Sequence, residues 1–175
     1  MIDESQLRAK QPVSAVLAGP YGHPFHPILV TVPIGAWVAS LIFDVASHLV
    51  HAPGFLARGS AWLIAIGLLG ALAAALVGFL DLFAIPTGTR AFRTGLTHMA
   101  LNVLVTAAYA VNFAWRHAAG PETGSVGVGM VALSAMSLGV LGVSGFLGGK
   151  LAYRYGVRVA DESTQADGYA PTRPS

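Results

Sequence analysis

Six histidines, no cysteine and few carboxylates define the chemistry open to this chain. Without a thiol there is no disulfide, no cysteine-held iron–sulfur cluster and no thioether attachment of a c-type haem. A metal or cofactor would have to be taken by His, Met, Asp, Glu or Tyr, or packed non-covalently. The candidates are His23 and His26 in Gly22-His23-Pro24-Phe25-His26-Pro27, then Asp81, then His98 with Asn102 four residues on. His26 and His98, with Asn102 beside them, have the makings of a b-type haem site, because imidazoles from different helices are the usual axial pair in a helical bundle. His23, His26, Asp81 and His98 together would suit a divalent metal of borderline softness. A second polar group, Asp44, His48, Asn112 and His117, reads as structural, with Asp44 and His48 one turn apart and able to bond along their helix.

These groups matter because of where they lie. The chain is 54% hydrophobic and 10% charged over 175 residues, against about a quarter charged in soluble domains. Four apolar runs, 27–50, 59–85, 95–115 and 125–149, each reach the ~20 residues that cross a ~30 Å hydrocarbon layer. Turn residues separate them, as in His51-Ala52-Pro53-Gly54, Pro86-Thr87-Gly88 and Ala119-Gly120-Pro121. The expected fold is an all-α, four-helix transmembrane bundle running up-down-up-down over residues 23–159. Residues 1–22 form a cytoplasmic segment with no cleavable signal pattern, and 160–175 a disordered polar tail.

Orientation follows from the loops. Arg8, Lys10, Arg90, Arg93, Lys150, Arg154, Arg158 and Arg173 fall on the side of the termini, and only Arg58 and Arg116 on the other. The positive-inside rule then places both termini in the cytoplasm of a cell whose inner membrane holds the bundle. In that frame His23, His26, Asp81 and His98 share one depth. Thr94, His98, Asn102, Thr106 and Tyr109 form a polar stripe on the third span that must face the interior. Pro33 removes a backbone donor within the first span and should kink it. Gly67, Gly70, Ala71, Ala74 and Gly78, and the pairs Ser144/Gly148 and Gly145/Gly149, are small residues at helix-contact spacing. A contact inside one bundle is favoured for them over a homo-oligomer seam.

The motif HPFHPILVTVPIG (His23 to Gly35), Asp81, the His98–Asn102 pair and GGKLAYRYGVRV (Gly148 to Val159) together resemble the bacterial membrane family catalogued as domain of unknown function 2231. The resemblance runs from about Gly19 to Val159. It implies four membrane helices and association with redox modules such as Rieske-type or c-type cytochrome domains, which here would be separate partner proteins. The leading reading is a redox-associated subunit holding haem b or a metal ion. The alternatives are a proton or small-solute pathway along the stripe and a non-catalytic scaffold. No catalytic motif is present: Gly142 to Gly149 follows no strand, and the net charge of +2 is no nucleic-acid footprint. Arg90, Arg93, Lys150 and Arg154 form a basic rim suited to anionic lipid headgroups.

Overall fold

The computed structural model describes residues 4–12, 24–120 and 124–169. Every regular element among them is helical: α1 (Glu4–Lys10), α2 (Phe25–Leu29), α3 (Thr31–Ala46), α4 (Gly54–Leu82), α5 (Arg90–Ala118), α6 (Val128–Gly149) and α7 (Glu162–Asp167), with a π-helical turn over Lys150–Arg154. Four segments are long and apolar enough to cross a membrane: Phe25–Ala46, Gly54–Leu82, Arg90–Ala118 and Val128–Arg154. Their outward faces carry Leu69, Leu76, Trp62 and Phe146, all exposed, which is the surface lipid requires.

The ends of the helices depart from the apolar runs because caps, not hydropathy, set them. Pro53 occupies the N-cap of α4, so that helix begins at Gly54 and takes in Arg58 and Ser60. The Thr89 side chain accepts the Phe92 N–H at 3.1 Å and starts α5 at Arg90. α5 then continues through Arg116 and His117 to Ala118, two residues before Gly120 adopts φ +89°. Pro24 is extended at the N-cap, and His26 is already helical in α2. The ladder breaks at Val30, because Pro33 has no N–H for the carbonyl of Leu29. The expected disordered tail is helical over Glu162–Asp167, where the Asp161 carboxylate accepts the Thr164 N–H at 2.9 Å. That cap holds the Asp161 carboxyl down at about 2, chiefly through the Ser163 hydroxyl and the Thr164 amide.

The bundle repeats itself. Shifting α2–α3 by 72 positions (44 to 116) and α4 by 70 (74 to 144) lays the first hairpin on the second, contact for contact. His26 Nδ1 donates to the Ala74 carbonyl at 2.9 Å, and its counterpart His98 Nδ1 to the Ser144 carbonyl at 2.8 Å. Trp37 Nε1 donates to the Ile64 carbonyl at 3.4 Å, and Tyr109 Oη to the Ser134 carbonyl at 3.3 Å. A Cβ on Gly78 would strike His26 and one on Gly148 would press on His98; Gly59 against Phe43 and Gly129 against Trp115 repeat the relation. In each hairpin the partner number falls as position rises (26 with 74, 37 with 64; 98 with 144, 109 with 134), the ladder of two antiparallel helices.

Counterparts also meet each other. The His26 and His98 rings lie 6.3 Å apart, Trp37 and Tyr109 stack at 4.2 Å and 10°, and Asp44 pairs with Arg116 at 2.6 Å. Contact between a residue and its own counterpart is the signature of a two-fold axis, here a pseudo-axis through these three pairs. At 1.5 Å per residue the outer two are roughly 27 Å apart, close to the thickness of the hydrocarbon layer. Between them Trp37, Ile64, Val105 and Tyr109 form a buried core.

Small residues make this closeness possible. Gly67 lies beneath the Trp37 indole and Gly70 against Val32 and Pro33, so the glycines of α4 serve contacts inside the bundle, whereas Gly139, Gly142 and Gly145 have nothing within 4 Å. Gly67→Val should therefore cost about 1–3 kcal/mol by overpacking, while Gly139→Val should change stability by less than about 0.5 kcal/mol. Unfolding in mixed detergent micelles, followed by tryptophan fluorescence, separates the two outcomes.

Candidate functional site

The axis carries a polar layer at each end. At the histidine end the imidazoles are fixed by backbone. A carbonyl oxygen only accepts, so the short contacts to Ala74 and Ser144 put a proton on Nδ1 of both His26 and His98, and in the neutral ring Nε2 is then the lone-pair nitrogen. Gly78 and Gly148 supply the clearance that lets the rings reach those carbonyls. Ser144 Oγ donates to the His98 carbonyl at 3.2 Å and lies 3.0 Å from its Nδ1. The Asn102 amide donates to His98 Nε2 at 3.1 Å, and Thr106 continues the stripe by donating to the Asn102 carbonyl at 2.8 Å. No hydrogen bond engages His26 Nε2 among the described residues.

The proposed metal set is not assembled. No three His, Asp or Glu side chains come together in a metal-holding group among the described residues, and His23 lies outside them. Asp81, within electrostatic reach of His26, is claimed instead by Arg158, whose Nε lies 3.1 Å from its Oδ1. Arg158 reaches it from a left-handed backbone, φ 58°, with its N–H donated to the Ala9 carbonyl at 2.9 Å. The segment after the last span is thereby strapped to α1 across the end of α4. An arginine recruited from sequence-distant backbone could not be foreseen from spacing.

The opposite layer differs from its expected form. Asp44 does not bond His48, which lies exposed beyond the end of α3; it faces Arg116. Arg116 Nη1 donates to Asp44 Oδ1 at 3.1 Å and Nη2 to Oδ2 at 2.6 Å, a bidentate pair in which both residues are at most 2% exposed. Arg116 Nε donates to Asn112 Oδ1 at 2.9 Å and Nη1 to Ser60 Oγ at 3.3 Å, while Asn112 Nδ2 donates to Ser134 Oγ at 2.9 Å. One guanidinium thus joins side chains from α3, α4, α5 and α6. His117 is exposed, its ring 4.8 Å from Phe113. Arg116 reads as a loop charge in a hydropathy scan. The signal that finds it is the repeat, because it stands 72 positions after Asp44 as His98 does after His26.

A bundle of four apolar helices, each long enough to span, with its polar groups turned onto one internal axis, is a helical integral membrane protein. Residues 22–161 match the family described as predicted membrane protein, DUF2231, and the chain belongs to that family. Neither the curated proteins nor the solved structures offer a match.

A charge buried without its partner costs about 3–5 kcal/mol, so Asp44→Ala and Arg116→Ala should each destabilise the bundle by that amount. Because the two positions are pseudo-equivalent, the reversed pair D44R/R116D should recover more than half of the loss. Detergent unfolding of the four proteins checks this; a double variant as unstable as the two singles combined would refute the axial relation.

Proposed function

We propose that the chain is a subunit of a membrane redox assembly in which His26 and His98 ligate a transition-metal centre at one membrane face. The observation that carries this reading is the repeated Nδ1–H···O=C bond. Ligating histidines characteristically donate their other ring nitrogen to a carbonyl or carboxylate, which fixes the tautomer and presents Nε2 to the metal. Two imidazoles on different helices, with the nearby carboxylate already paired, are the residues that would hold a b-type haem. They do not fit a closed four-ligand site. When bound, such a group would supply one-electron exchange at the membrane face. The protein's part is to hold both rings in one tautomer and at a fixed separation. Asn102 would have to yield His98 Nε2 to the iron. A partner redox protein would dock at this face.

The exposed cations support the same orientation as the sequence. With Arg116 buried, Arg58 is the one exposed Lys or Arg at the far end among the described residues. The histidine layer therefore belongs on the cytoplasmic side of the inner membrane.

The Asn102–His98 bond favours a second reading, in which the layer only locks the two hairpins together. A visible spectrum and metal analysis of the protein purified in mild detergent separate the two. Ligation gives a Soret band, or a bare transition metal near one per chain, lost in both His26→Ala and His98→Ala. A colourless, metal-free protein whose His98→Ala variant is merely less stable establishes the lock and rejects ligation.

A further inference from the structure

The end of the last span holds a feature that the histidine layer does not use. Beyond Gly149 the helix widens into the π-turn Lys150–Arg154, closed by the Tyr155 N–H donating to the Lys150 carbonyl at 3.1 Å. Such turns are often found at functional sites. On its outer side is an open cavity of about 420 Å³ lined by Phe146, Gly149, Lys150, Tyr153 and Arg154. Phe146 is 72% exposed on the lipid-facing surface, and Tyr153 is 93% exposed beside the two cations. The groove is apolar toward the span and dibasic toward its end.

Among the described residues neither Lys150 nor Arg154 is paired with a carboxylate. Lys150 Nζ lies 5.6 Å from the centre of the Tyr155 ring. Desolvation would raise the Tyr155 phenol, but hydrogen bonds with Thr94 and Lys150 and the charges of Lys150 and Arg154 hold it below its usual range. The positive potential is thus uncompensated. The bundle does not need it for packing: 70 positions earlier, on the first hairpin, the same surface is Leu76, Phe79, Leu80, Phe83 and Ala84. The neighbouring cavity, which includes Lys10 and Glu162, brings a carboxylate with its cations and suits an anion less well.

We infer that this groove binds the phosphate of an anionic phospholipid, with Lys150 and Arg154 on the headgroup and Phe146 along the first acyl carbons. A basic site at the end of a membrane span recognises a lipid by its phosphate charge. The apolar wall at Phe146 selects the lipid over free phosphate.

The test is native mass spectrometry of the full-length protein in detergent, titrated with phosphatidylglycerol, phosphatidylcholine or inorganic phosphate. Wild type should retain one phosphatidylglycerol in preference to phosphatidylcholine, and K150Q/R154Q should lower its occupancy by ~tenfold or more. Helical content by circular dichroism checks that this variant is folded. Tyr153→Ala, whose side chain is nearly all exposed and so spares the fold, should weaken the same adduct several-fold. Equal retention of the two lipids, an undiminished adduct in both variants, or protection by phosphate without lipid would each overturn the assignment.

Discussion

Asp44 and Arg116 sit at the point where all four spans converge, and their pairing follows from the solvent. In a bilayer, packing apolar side chains against one another gains little, since lipid is as apolar as leucine. An unpartnered charge at that depth, by contrast, is prohibitive. A guanidinium that reaches a carboxylate on α3, a hydroxyl on α4 and an amide on its own helix, itself bonded to α6, admits very few helix arrangements. The pair therefore specifies the bundle more than it stabilises it.

The same economy recurs along the axis. The other two levels use a side chain from one helix and a backbone carbonyl from its hairpin partner: imidazole to Ala74 or Ser144, indole to Ile64, phenol to Ser134. These carbonyls already accept within their helices, so the second donor uses a spare lone pair and leaves the ladder intact. Glycine supplies the room at Gly78 and Gly148, where any Cβ would meet a histidine ring. The stacked Trp37 and Tyr109 interrupt the polar groups midway, so the bundle does not hold one polar track from face to face. This weighs against a solute pathway and leaves the two ends as separate sites.

Much of this was legible in the residues. Four apolar segments long enough to span, the inward-facing His98, Asn102 and Tyr109 of α5 and the break before Pro33 appear as expected, because each depends on local composition or on helical periodicity. Asp81, expected among metal ligands, pairs with Arg158 instead, while His26 and His98 do come together. Spacing alone puts Arg158 and Arg116 at the span boundaries and does not pair them with Asp81 and Asp44.

The sequence by itself determined that this chain lives in lipid, how many times it can cross, and which few polar side chains the membrane would force inward. Those properties are sums over neighbours, and a window of twenty residues contains them. Only the tertiary structure decided which polar group answers which. Asp44 meets Arg116 across 72 positions, each histidine spends Nδ1 on a carbonyl of another helix, and Arg158 turns back to Asp81. Such pairings depend on the rotation of each helix about its own axis, and that rotation is fixed collectively, when glycine clearances and buried charges are satisfied in all four helices at once.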